Sequence, residues 1–141
     1  MNDPMAYRYG IRRNYAARME MYKKISFIES EEDKTELYDE FLDRFGDVPK
    51  PVHRLMNVAL AKALCEKARI KKIELSGARL TFVSEKVDLG VWSELFAEFR
   101  SLSFVGVGSP LVVYRLRSDE DATDVAARVM TAYMRSLSSE E

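Results

Sequence analysis

The chain has 141 residues, of which 47% are apolar and 32% charged, and its formal net charge is −1. This length accommodates one domain with a real core, and the composition is that of an ordinary globular protein. The near-neutral charge gives no reason to expect a nucleic acid or a membrane as partner, and one cysteine excludes an internal disulfide and a multi-thiolate metal site. Because no apolar run reaches membrane-spanning length and the N-terminus has no signal-peptide core, we expect a cytoplasmic protein.

Charge alternates in sign over three consecutive segments of the chain. Residues 1–24 carry six basic and two acidic side chains, residues 29–47 two basic and nine acidic, and residues 48–72 seven basic and one acidic. Two interpretations fit this alternation. Neighbouring helices could attract one another through complementary faces, or the surface could be matched in charge to a partner.

The N-terminal part of the chain predicts a lead-in followed by a helix. Residues 1–10 show no periodicity and contain proline and glycine, so we interpret them as a flexible lead-in or linker. A single domain then occupies residues 11–141, and its first helix runs to about Phe27. The apolar face predicted for this helix consists of Ile11, Tyr15, Met19 and Tyr22.

The second predicted helix is amphipathic and carries the candidate site. Ser30 is a favourable N-cap for it, and Gly46 can adopt the left-handed conformation that ends a helix. The predicted apolar face consists of Leu37, Tyr38, Phe41, Leu42 and Phe45. The opposite face carries an acidic stripe, which we define as Glu36, Glu40 and Asp43 with Arg44 at its edge.

Helix capping explains only part of this acidity. Acidic side chains in the first turn interact favourably with the helix dipole, whereas Glu40 and Asp43 lie near the C-terminal end, where each costs about a few tenths of a kcal/mol. Another group must therefore compensate them, and Arg44, four residues after Glu40, is a local candidate. We predict that the acidic stripe is a docking surface rather than an active site.

Beyond this helix the pattern alternates between helices and strands. Pro51 suits the first turn of a third helix, and a period of two on either side of Gly77 predicts a hairpin. The apolar stripe predicted for the third helix consists of Val52, Leu55, Met56, Ala59, Leu60 and Ala63. Asp88 caps a fourth helix, in which we expect Trp92 to be half-buried.

The remaining residues complete the predicted fold. One or two strands flank a turn at residues 104–110, and Ser118 with Asp121 forms a capping pattern for a closing helix. The element order ααα-ββ-α-β(β)-α predicts an α+β domain. Its small antiparallel sheet is covered by helices on at least one face.

Motifs for catalysis, cofactors or metals are not found. His53 is the only histidine, with no second ligand at a metal-binding spacing and no nucleophile motif near it, so we expect it on the surface. Gly106 and Gly108 lack the remaining residues of a dinucleotide-binding or phosphate-binding loop. Cys65 is expected in the core or at its boundary. We therefore predict no enzymatic activity, cofactor or metal for this chain.

A free-standing nucleic-acid-binding protein is the alternative. Residues 8–24 interleave basic side chains with the tyrosines at positions 9, 15 and 22, and Tyr7 directly precedes them. The first helix needs Tyr15 and Tyr22 for its own apolar face, which counts against this alternative.

Two runs of sequence resemble the C-terminal domain of bacterial transcription-repair coupling factors, the Mfd family. They are RMEMYKKI at residues 18–25 and ELYDEFLDRFGDVPKPVHRL at residues 36–55, and the likeness extends over roughly residues 11–141. The positions that match the family pattern are Arg18, Tyr22, Lys23, Ile25, Glu40, Asp43, Arg44, Phe45, Gly46, Pro49, Pro51, Ile70, Lys72 and Ile73. Phe41 replaces the usual leucine, and Arg69 replaces the glycine usual just before the first strand.

This resemblance implies a regulatory domain of a larger protein. Members of the family are ATP-driven DNA translocases that displace stalled RNA polymerase and recruit nucleotide excision repair. Their C-terminal domain packs against an N-terminal module related to the excision-repair helicase UvrB, hides the surface that recruits UvrA, and restrains the motor. Carried over to this chain, the contact involves Glu40, Asp43 and Arg44, which would face arginines of that module.

Overall fold

The computed structural model describes residues 4–105 and 111–139, with side chains from residue 15 onward. In chain order the elements are α1 (Pro4–Ile25), α2 (Glu31–Phe45), α3 (Lys50–Ala68), β1 (Ile70–Ser76), β2 (Arg79–Ser84), α4 (Leu89–Glu98), β3 (Leu102–Phe104), β4 (Leu111–Arg115) and α5 (Ala122–Ser139). The predicted α+β class and element order are confirmed. The turn predicted at residues 104–110 lies mostly outside the described residues.

The four strands form one antiparallel sheet in the order β1-β2-β4-β3. The predicted hairpin is confirmed, and Gly77 at φ +60° supplies its left-handed residue. Phe82 on β2 pairs with Ile73 and Val112, and cross-strand partners share a face of the sheet. That face is packed against helices, because Phe82 contacts Trp92 of α4 at a ring-centroid distance of 5.6 Å.

Trp92 lies at the centre of the core, not at its boundary as predicted. It is fully buried, and its ring also contacts Tyr133 of α5 at 5.1 Å. Its indole Nε1 has no hydrogen-bond partner among the described residues. The stabilisation gained by packing this large ring between the sheet and α5 therefore exceeds the cost of burying an unpaired N–H group. This is in keeping with the large apolar area that a tryptophan buries.

Helix α1 differs most from the prediction. It begins at Pro4 instead of residue 11, so residues 4–10, predicted as a lead-in, continue the helix. Its predicted apolar face is exposed, with Tyr15 at 64% exposure, and the side chain of Ile11 lies outside those described. Met21 and Ile25, in the last two turns of α1, are buried instead.

Smaller corrections concern α3 and the start of α5. Leu55 of the stripe predicted for α3 is half exposed, whereas Met56 and Leu60 of the same stripe are buried as predicted. Helix α5 begins after Asp121, whose backbone oxygen accepts from the N–H of Val125 at 3.0 Å, whereas Ser118 lies in the preceding turn. That turn is held by Glu120, which accepts from the hydroxyl of Tyr114 at 2.6 Å.

Candidate docking surface

Helix α2 is held firmly at both ends and along one side. The Ser30 side chain accepts from the N–H of Asp33 at 3.1 Å, and Gly46 at φ +74° donates its N–H to the Leu42 oxygen at 2.7 Å, so both predicted caps are confirmed. Leu37 and Phe41 are buried in the core, while Leu42 of the predicted apolar face is exposed. The opposite side of α2 therefore faces outward on a rigid support.

All four predicted site residues lie on this side of α2, but they differ in their hydrogen bonds and ion pairs. Glu36 and Asp43 are exposed, and neither makes a hydrogen bond or ion pair with any residue that the structure describes. Glu40 is half exposed and accepts from the Lys24 ammonium at 2.9 and 3.1 Å. Lys24 on α1, not Arg44, thus compensates Glu40.

Arg44 contacts α1 rather than its own helix. Its Nη1 lies 3.9 Å from a carboxylate oxygen of Glu20 and donates to the sulfur of Met21 at 3.6 Å. Nearby, the Arg18 guanidinium lies 5.7 Å from the centre of the Phe45 ring. Part of the alternating charge therefore serves attraction between α1 and α2, as the first of the two interpretations holds. The second interpretation, a surface matched in charge to a partner, concerns the unpaired carboxylates of Glu36 and Asp43.

Lys24 is the contributor to this surface that the sequence did not single out. Its signal was the excess of basic side chains in residues 1–24 next to an acidic segment. The pairing itself could not be read from the sequence, since Lys24 and Glu40 are separated by sixteen positions on two different helices. The packing of α1 against α2 brings them together.

The other side chains considered for chemistry are buried or only partly exposed. His53 is partly buried against the Tyr38 ring at 5.3 Å, rather than on the open surface as predicted, and burial with the nearby Lys34 charge lowers its pKa. Cys65 is buried as predicted, and burial raises its pKa to about 12. Across the described part of the chain, no three histidine, cysteine or acidic side chains are grouped so that they could hold a metal ion. None of the helices described there is both long and apolar enough to span a membrane.

Comparison with known proteins assigns the chain to a family. The family model of the TRCF domain matches residues 12–89, which is more than half of the chain. The chain belongs to the TRCF-domain family. The matched residues run from α1 to the start of α4 and include the whole acidic stripe. The resemblance based on residues 18–25 and 36–55 is thereby confirmed.

Relatives of this TRCF domain are transcription-repair-coupling factors. The factor of Bacillus subtilis is 37% identical over 70 residues, which cover 48% of this chain and 6% of that protein. The factor of Staphylococcus haemolyticus is 34% identical over 67 residues, with the same shares. The chain thus spans a small fraction of the length of the relatives that it matches.

The fold comparison extends beyond the segment that these relatives match. A crystal structure of the C-terminal domain of a transcription-repair coupling factor superposes with a TM-score of 0.72 at 20% identity, covering 89% of this chain and 84% of that one. The likeness shows that the two share the fold. Membership of the TRCF-domain family rests on the match at residues 12–89.

Proposed function

We propose that this TRCF domain is a non-catalytic cytoplasmic docking domain of a transcription-repair coupling factor. Its acidic stripe on α2 binds a UvrB-like N-terminal module, masks the recruitment of UvrA, and restrains the ATP-driven DNA translocase during transcription-coupled nucleotide excision repair. Through the parent protein it acts indirectly on RNA polymerase and DNA. The observation that carries the proposal is the exposure of Glu36 and Asp43 without a partner among the described residues.

The energetics suit a contact that must open. An exposed ion pair contributes about 0.2–1 kcal/mol and is weakened by salt. A few such pairs on a rigid helix lose little conformational entropy on binding, yet they separate when the motor changes state. The caps at Ser30 and Gly46 supply that rigidity.

The test is a titration of this domain with a separately expressed UvrB-like module. Glu36→Lys combined with Asp43→Lys should weaken binding about tenfold, since two attractive pairs, together about 1.4 kcal/mol or more, become repulsive. The fold should be retained, because neither side chain has a partner among the described residues. Glu40 is left unchanged in this variant, since reversing it would also set a positive charge against Lys24.

Glu66→Lys is the matched control. Glu66 is an exposed acidic side chain on α3 that makes no hydrogen bond or ion pair with any residue that the structure describes. This variant should bind the module like the wild type. If the double variant on α2 bound with unchanged affinity, the proposed docking surface would be wrong.

A second candidate, a free-standing nucleic-acid-binding protein, gains from one observation. Tyr15 is 64% exposed and Tyr22 is also exposed, so neither is needed by the core as the sequence suggested. Arg18 and Lys23 lie on the same helix, and aromatic rings interleaved with cations are typical of single-strand binding.

Anisotropy titration of a labelled single-stranded oligonucleotide tests this second candidate. Affinity that falls steeply with salt and drops in Tyr15→Ala would favour it. If the oligonucleotide fails to bind even at low salt, nucleic-acid binding is excluded as the function.

A further inference from the structure

The most exposed large apolar side chain in the described residues is Phe27, in the turn between α1 and α2. The residue is 75% exposed. The backbone beneath it is held in place, because the N–H of Phe27 donates to the Lys24 oxygen at 3.0 Å and the N–H of Ile28 donates to the Ile25 oxygen at 3.1 Å. Ile28 is buried and anchors the turn in the core. The ring is therefore displayed on an ordered support.

Phe27 lines one side of a cleft between this turn and α2. The cleft has a volume of about 410 Å³ and is lined by Lys24, Phe27, Ile28, Asp33, Glu36, Leu37 and Glu40. Its base is apolar, since Ile28 and Leu37 are buried core residues. Its walls combine an aromatic ring with carboxylates from the acidic stripe.

The charges around the cleft are unbalanced. Three carboxylates stand against one ammonium group, and Lys24 is already paired with Glu40 at 2.9 Å. Asp33 is engaged in helix capping, where its carboxylate accepts from the N–H of Glu29 at 3.0 Å. Glu36 has no partner among the described residues, so the cleft offers one unpaired carboxylate beside an exposed ring.

We propose that this cleft binds an arginine side chain of the docking partner, stacked on the Phe27 ring and hydrogen-bonded to Glu36. A guanidinium group is planar, weakly hydrated and forked, so it can stack on an aromatic face while donating to a carboxylate. A lysine ammonium is compact and strongly hydrated, and gains less from the ring. The inference rests on the proposed function and extends it, because Phe27 becomes a specificity-determining residue of the interface.

The first test uses the same titration with the UvrB-like module. Phe27→Ala should weaken binding about tenfold, and Phe27→Leu, which keeps apolar bulk without an aromatic face, about threefold, while Phe27→Trp should retain affinity. Leu89→Ala is the matched control, because Leu89 is 63% exposed but lies on α4. An affinity unchanged in Phe27→Ala would refute the inference and leave the docking surface standing if the Glu36 and Asp43 variant is still impaired.

The second test does not depend on the module. N-acetylarginine methylamide is titrated into the whole domain and followed by amide NMR, with N-acetyllysine methylamide as the comparison. We expect shifts at the amides of Phe27 and Glu36 with the arginine compound, at least threefold smaller shifts with the lysine compound, and no such difference in Phe27→Ala. Equal shifts from both compounds, or no shifts, would refute the proposal that the cleft binds an arginine side chain. A wild-type domain that binds the arginine compound but not the module would support the cleft and refute the proposed partner.

Discussion

Asp121 joins the start of α5 to α3, and its replacement by alanine should measure that connection. One carboxylate oxygen accepts from the N–H groups of Thr123 at 2.8 Å and Asp124 at 3.2 Å. The other accepts from the Arg54 guanidinium at 2.6 Å. Asp121→Ala removes the N-cap of α5 and the ion pair to α3 together.

The magnitude follows from the two contacts. Loss of an N-cap carboxylate costs about 1 kcal/mol. The ion pair adds about 0.5 kcal/mol, near the middle of the range for exposed pairs, because the Arg54 side chain is 54% exposed. We therefore expect the free energy of unfolding to fall by about 1.5 kcal/mol. Asp121→Asn keeps the cap and should lose only about 0.5 kcal/mol.

Urea unfolding followed by Trp92 fluorescence is a suitable assay, since Trp92 is fully buried in the folded state. Ser118→Ala is the matched control, because Ser118 lies in the turn before the helix and should cost less than about 0.3 kcal/mol. An equal loss in Ser118→Ala and Asp121→Ala would refute the assignment of the cap, as would a loss below about 0.3 kcal/mol in Asp121→Ala.

The contribution of Asp121 should also depend on pH. The Thr123 hydroxyl, and then Arg54, hold the pKa of Asp121 well below its usual range against the opposing effect of burial. Because the pKa is depressed by folding, the stabilisation is complete above the unfolded pKa of about 3.9 and is lost as the pH falls towards the folded pKa. The difference in unfolding free energy between the wild type and Asp121→Asn should therefore shrink between about pH 5 and pH 2.

Three further predictions concern α2 and the core. Gly46→Ala should lower the free energy of unfolding by about 1 kcal/mol, because φ is +74° there, and a loss under about 0.3 kcal/mol in urea unfolding would contradict it. Folded Cys65 should react with a thiol reagent at pH 8 only after denaturation, since burial raises its pKa to about 12; prompt labelling of the folded domain would argue otherwise. A double-mutant cycle with Lys24→Met and Glu40→Gln should give a coupling of about 0.5 kcal/mol, and a value near zero would mean that the pair does not hold α1 to α2.

Local signals in the sequence were sufficient for the helix ends and the hairpin. Ser30, Gly46 and Asp88 act where they were predicted, and Gly77 turns the chain between β1 and β2. Each of these signals depends on hydrogen bonds or dihedral angles within about four residues. The exception is the start of α5, where Ser118 was predicted as the N-cap, whereas Asp121 caps the helix and also accepts from Arg54 of α3.

The orientation of α1 could not be read from its periodicity. Tyr15, Met19 and Tyr22 repeat with the same helical spacing as the buried pair Met21 and Ile25. Either stripe could have faced the core, since a hydrophobic period shows that a helix has an apolar side but not which neighbour covers it. The position of α1 relative to α2 and α3 decided between them.

The sequence by itself determined the ends of α2, the acidic stripe and membership of the TRCF family, because these follow from residues close together in the chain. Only the tertiary structure decided how each member of that stripe is engaged. Lys24 pairs with Glu40, Arg44 approaches Glu20, and Glu36 lines the same cleft as Phe27. Ion pairs and burial depend on how distant segments pack, and the ion pairs of this stripe depend on the packing of α1 against α2.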